Sequence, residues 1–177
     1  MSDEQKADIY VPIDTSKLQE IIPPGEDILC SALCKGQNSF ANKIITWNTH
    51  VLLTNKGVAL HENYGKDLVP KYYPWHEVFS VGKVMKMTGI SIGPNIRALT
   101  SYLLLRFKDT ESNDEFNARG NAFVTRFMPI MTQSKEEWLA ANRNNPDIKP
   151  KKLRNFEKEL DMNNKAMEKW FKKHGKK

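Results

Sequence analysis

The residues best equipped for chemistry are scattered along the chain. The four histidines are His50, His61, His76 and His174, and the two cysteines are Cys30 and Cys34. None sits at the CxxC or HxxxH spacing that would aim two donors at one metal. His50 and His61 lie in two β-prone runs, 49–54 and 58–62, around Asn55-Lys56-Gly57. A three-residue loop with Gly last predicts a hairpin with a glycine bulge. Thr54 then opposes Val58, His50 opposes Glu62 and Val51 opposes His61, so the two imidazoles point to opposite faces. A slip of one residue would bring them together. On a strand, Cys30 and Cys34 would stand about 13 Å apart, beyond the roughly 7 Å that a disulfide tolerates. They read as small, buried, reduced residues. Gly89-Ile90-Ser91-Ile92-Gly93 is followed by Pro94-Asn95, not by a helix start with Lys and Ser/Thr, so it does not read as a phosphate cradle. No GxSxG or HExxH motif is present. The chain therefore reads as a binding module, with no catalytic residue, metal or cofactor expected.

Charge separates the chain into two parts. Residues 149–177 hold 11 of the 27 Lys and Arg against four acidic residues, a net +7, while residues 1–148 carry −1. The tail is also amphipathic. Leu153, Leu160 and Met167 recur every seven residues, as do Phe156, Asn163 and Trp170, with Phe171 beside them. That pattern predicts a helix with an apolar seam and a basic opposite face. Alone in water such a helix is marginal, so it needs a surface to lie on. Asn163 weakens the seam.

The elements that must position these residues follow from periodicity and turn chemistry. Residues 1–17 are expected to form a flexible arm. Leu18, Ile21 and Ile22 form a helical turn or a short strand, closed by Pro23-Pro24-Gly25. A first strand spans 28–35 and ends at Gly36, with a loop over 37–39. After the hairpin, 71–74 is an edge strand, where proline costs least, and 75–78 is a turn. A strand covers 79–86 and a Gly/Pro loop covers 88–97. Residues 101–108 alternate, with Leu103, Leu105 and Phe107 on one face and Arg106 and Lys108 on the other. A polar turn, 109–114, leads to a short strand, 115–119. Phe123, Phe127, Ile130 and Met131 then recur at helical spacing, with Pro129 kinking or dividing that helix. Ser134-Lys135-Glu136-Glu137 resembles a capping box and predicts a second helix from Lys135 to the Asn144-Asn145-Pro146 breaker. No run reaches the roughly 18–20 apolar residues a membrane-spanning helix needs, and the polar N-terminus lacks a secretory pattern.

This order of elements resembles the pleckstrin-homology superfold, in particular its GRAM-like, GLUE and bacterial-PH branches. The residues that carry the resemblance are Gly25-Glu26-Asp27-Ile28-Leu29, the run 49–58, Trp75-His76-Glu77-Val78, the strand from Tyr102 to Phe107, and the helix beginning near Asn121. The resemblance spans residues 18–133. It implies an α+β fold, a bent antiparallel barrel of about seven strands capped by a C-terminal helix. Residues 134–148 are then a helix and linker, and 149–177 an additional basic amphipathic helix. In lipid-binding members the loop after the first strand is cationic. Lys35 and Lys43 match its outer positions, while Ile44 and Ile45 stand where further cations are expected.

The resemblance implies a non-catalytic adaptor that binds a protein, ubiquitin-like proteins included, or an anionic phospholipid surface. Lys35, Lys43 and Lys56 are the candidate anion-binding residues. Leu153, Phe156, Leu160, Met167, Trp170, Phe171, Lys172 and Lys173 form the candidate docking helix. Its aromatics would insert at a membrane interface while the lysines meet the headgroups. The expected location is cytoplasmic, with peripheral membrane association. Two alternatives differ in kind. The helix packs on its own domain or on a second copy, as a structural or oligomerisation element. Or the basic tail binds nucleic acid non-specifically.

Overall fold

The computed structural model describes residues 15–40, 43–63, 68–84, 87–92, 101–106 and 112–175. Within these, a short helix α1 (Ser16–Glu20) precedes seven strands: β1 (Ile28–Phe40), β2 (Lys43–Thr54), β3 (Gly57–Asn63), β4 (Leu68–Pro74), β5 (Val78–Val84), β6 (Met87–Ile92) and β7 (Ser101–Arg106). Two long helices follow, α2 (Asn113–Asn142) and α3 (Pro150–His174). All strand pairs are antiparallel, in the order β4-β3-β2-β1-β7-β6-β5. The edge strands β4 and β5 are consecutive in the chain yet unpaired with each other. A single 3₁₀ turn, Trp75–Glu77, joins them and leaves a corner open.

Period-two burial fills the inner face of the sheet. Ala32 and Cys34, Val51 and Leu53, Val58 and Leu60, and Ile90 and Ile92 all enter one core. Helix α2 plugs it with Phe123, Val124, Phe127, Met128 and Met131, at helical spacing. At the open corner Trp75 is fully buried and stacks on Phe127 at 5.7 Å. Its indole N–H donates to the Thr54 carbonyl at 2.9 Å, tying the corner to β2. On the outer face, Leu18 of α1 packs on Leu52 and Ala59, so Leu18 takes the helical option, not the strand, and Ile21 and Ile22 follow the helix as a turn. The free edge of β4 carries Pro70 and Pro74, which remove N–H donors and discourage pairing with another chain.

Four expectations are corrected. First, β1 runs straight through Gly36. That glycine pairs with Trp47, and a Cβ there would collide with the indole. It is a seat for a ring, not a strand end. Second, Leu53 pairs with Val58, so the hairpin loop is Asn55-Lys56 alone and the register shifts by one. Gly57 opens β3 without a left-handed backbone. It is glycine because a Cβ would strike Tyr72. The Thr54 hydroxyl accepts from the Lys56 and Gly57 amides at 3.0 and 2.9 Å, which closes this tighter loop. Third, residues 88–92 of the expected loop belong to β6, with Gly89 opposite Gly82.

Fourth, the expected strand at 115–119 and the two expected helices are one helix. Its N-cap is Ser112, whose hydroxyl accepts from the Glu115 amide at 3.1 Å. The Ser-x-x-Glu signature that matters is therefore Ser112 to Glu115. The copy beginning at Ser134 lies mid-helix, and the boundary between residues 133 and 134 falls inside α2. Pro129 is tolerated within the helix at a cost of about 3 kcal/mol. Burial of Phe127, Met128 and Met131 on either side of it offsets that cost. Residues 1–14, Phe107, Lys108 and 93–97 lie outside the described residues, as do the side chains of Leu103, Leu105 and Arg106.

Candidate binding surface

Helix α3 starts with Pro150 at its first turn, where the missing N–H costs nothing. It ends at Gly175, whose φ of 80° favours glycine. Lys172, Lys173 and His174 occupy its last turn, where positive charge suits the exposed carbonyls. The predicted seam exists and faces inward, onto this chain. Leu160 and Asn163 are buried, and Leu153, Phe156, Met167, Trp170 and Phe171 are half-buried. The helix lies antiparallel along α2. Phe156 meets Trp138 at 4.5 Å, and the Trp170 indole donates to the Thr125 hydroxyl at 3.0 Å. Met167 and Trp170 also pack against the barrel core. The docking role assigned to the apolar residues is thus taken up within the fold: their partner is α2.

A buried polar node fixes the register of this packing. Phe79 is the residue skipped by a bulge in β5, which leaves its carbonyl outside the ladder. Lys135, with no exposed side chain, donates to that carbonyl at 3.0 Å and to Asn163 Oδ1 at 2.6 Å. Asn163 Nδ2 donates to the same carbonyl at 3.0 Å. Glu159 completes the node with an ion pair to Lys135 at 3.2 Å. Burial pushes the Lys135 ammonium down and the Glu159 carboxyl up, and each partner pulls the other back. Asn163, which looks like a flaw in the seam, joins three elements. Beside the node His76 stacks on Trp138 at 5.5 Å, and burial lowers the imidazole below its usual value.

The opposite face of α3 is basic and open. Lys151, Arg154, Lys158, Lys165, Lys169, Lys172 and Lys173 are all exposed. At 100° per residue they fall within an arc of about 100°, and the helix is about 37 Å long. Glu159 is turned inward, so it does not dilute this face. Asp161 does, through a 2.9 Å pair with Lys165. Met162, 46% exposed, is an apolar residue within the stripe. Of the candidate docking residues, Lys172 and Lys173 are therefore the outward pair.

The other candidates do not converge. Lys43 opens β2 and Lys56 sits in the turn beyond its end, which separates them by about 40 Å of strand. Lys35 is exposed in mid-β1, opposite Asn48. The shifted hairpin register brings His50 into line with His61 one step beyond Val51 and Leu60. There the ladder gives way to side chains: the Trp47 indole donates to the His61 carbonyl at 2.8 Å, and the His61 amide to the Thr49 hydroxyl at 3.1 Å. Among the described residues no three of His, Cys, Asp and Glu group as metal ligands would. Cys30 and Cys34 are free thiols. Burial pushes both up, Cys34 furthest, which makes them poor nucleophiles.

A seven-stranded antiparallel sheet, open at one corner and plugged by the helix that follows β7, settles the fold class. The fold is pleckstrin-homology-like. Solved structures with a similar course include the PDZ-RhoGEF DH/PH domains bound to GTP-γ-S-activated RhoA. The identity is 11%, the match covers 74% of this chain and 39% of that one, and the TM-score is 0.39. The C-terminal domain of an unknown protein from Leishmania infantum is similar at 12% identity, over 64% of this chain and 94% of that one, with a TM-score of 0.36. A DH/PH fragment of PDZ-RhoGEF in complex with human RhoA matches at 13%, over 74% and 38%, with a TM-score of 0.33. This chain spans about two fifths of the length of those RhoGEF chains. No protein-family model matches the sequence, and no curated protein does either. Among the described residues, no helix is long and apolar enough to cross a membrane.

Proposed function

We propose that this protein is a non-catalytic PH-like binding module that docks electrostatically on an anionic membrane surface through the outer face of α3. The observation behind this reading is the exposed stripe of seven cations on one face of a helix whose other face is locked to the barrel. Holding the helix rigid presents all seven charges together, without the ordering cost that a loose tail would meet. A long, predominantly basic stripe suits a broad charged plane better than a small ligand. Each cation near an anionic leaflet contributes about 1 kcal/mol. Four to seven of them give about 4–7 kcal/mol, which is weak, reversible binding in the millimolar to ten-micromolar range. Because the seam is occupied, the aromatics stay inside and the contact remains electrostatic.

Co-sedimentation of the full chain with vesicles tests this. Recovery should be substantial with anionic vesicles at low salt, reduced at moderate salt, and negligible with neutral vesicles. Equal recovery with both vesicle types, or none with either, contradicts the reading. Salt-sensitive retention of RNA in place of vesicles would transfer the stripe to nucleic acid.

A further inference from the structure

The middle of the basic face of α3 holds one residue that charge does not explain. Met162 stands midway between Pro150 and His174, the ends of the helix, and is 46% exposed. Among the described residues, the only other large apolar side chain so exposed is Ile28. Exposed cations surround Met162 on its own face: Lys158 four residues before it, Lys165 three after and Lys169 seven after. At 100° per residue, all three lie within about 60° of it around the axis. Its acidic neighbour, Asp161, is paired with Lys165. The residues on the other side of the helix hold Met162 where it is. Asn163 is buried in the node with Lys135 and Phe79, and Leu160 is buried in the seam. Turning Met162 inward would pull both out.

We infer that Met162 is a shallow insertion residue that makes the basic stripe of α3 select a lipid bilayer over other polyanions. The inference rests on the membrane reading of the stripe and adds one apolar contact to its electrostatics. Lysine ammoniums reach headgroup phosphates on flexible four-carbon stems. A helix docked through them lies flat, with Met162 facing the acyl boundary. The unbranched thioether side chain fits the irregular space between headgroups. Nucleic acid and heparin present anionic charge with no apolar layer beneath it, so on them Met162 stays in water.

The test compares the full-length wild type, Met162→Gln and Met162→Leu on vesicles of phosphatidylserine and phosphatidylcholine in equal parts, and on a heparin column. Met162→Gln should partition to the vesicles about three- to fivefold less well than the wild type, and Met162→Leu at least as well. All three should leave heparin at the same salt concentration, which a displaced helix would not do. On bicelles of the same lipids with a spin label high on the acyl chain, the methyl resonance of Met162 in the wild type should broaden. That of the half-buried Met167 should not. Equal partition of Met162→Gln and the wild type, or no broadening at Met162, overturns the inference and leaves the stripe in place. An equal loss by Met162→Gln on vesicles and heparin also overturns it, because the residue would then only support the helix. Failure of the wild type to bind vesicles at all removes the membrane reading, and this inference with it.

Discussion

Removing the Asn163 amide should loosen the entire C-terminal helix. Asn163→Ala takes an acceptor from the buried Lys135 ammonium and a donor from the Phe79 carbonyl. The cost expected from urea unfolding is about 2–3 kcal/mol, because buried polar groups lose partners that water cannot replace. A double-mutant cycle with Lys135→Met should show coupling above about 0.5 kcal/mol. Additive effects would mean that the node does not act as a unit. His76 supplies a pH signature. In the unfolded chain it takes up a proton near the ordinary histidine value of 6.5, and in the folded chain burial lowers that value. Between the two values the unfolded state holds more protons, so stability falls as pH drops through that window. The loss in thermal midpoint between pH 7.5 and 5.5 should be smaller for His76→Gln than for the wild type; equal losses would contradict this assignment. None of these roles was legible locally. Asn163 looked like a break in a seam because its partners, Lys135 and Phe79, are 28 and 84 residues away.

Among the elements, those fixed by local patterning were legible and those decided by tertiary contact were not. The hairpin, the edge strand with its prolines, the corner at Trp75 and the amphipathic α3 all follow from periodicity and turn chemistry. Gly36, Gly57 and Gly89 were misleading, since glycine marks a turn by default. Here two of them leave room for Trp47 and Tyr72, and the third pairs with another glycine across β5 and β6. Pro129 misled for a similar reason: tertiary burial carries α2 through it. Charge and heptad spacing pointed to α3 and to its two faces, yet only the packing shows that the seam lies on α2. Because the seam lies on α2, a chain ending near Asn145 should be less stable, with Trp138, Thr125 and the Lys135 charge uncovered. Thermal unfolding and sedimentation velocity check this. The truncated chain should melt several degrees lower or self-associate. An unchanged melting point and a monomer would mean that α3 contributes nothing to the fold.

The whole molecule is a barrel carrying a clamped helix that turns its basic face outward. The measurement that bears on it most directly is anionic-vesicle co-sedimentation of the wild type beside Lys158→Glu/Lys169→Glu. Both substitutions lie on exposed positions and leave the node and the seam untouched. Reversing two of the seven cations removes four units of charge from the stripe, about 4 kcal/mol at about 1 kcal/mol each. The variant should remain folded, with unchanged circular dichroism, and lose at least nine tenths of its vesicle recovery at low salt. Recovery equal to that of the wild type would contradict the assignment of the outer face of α3 as the docking surface.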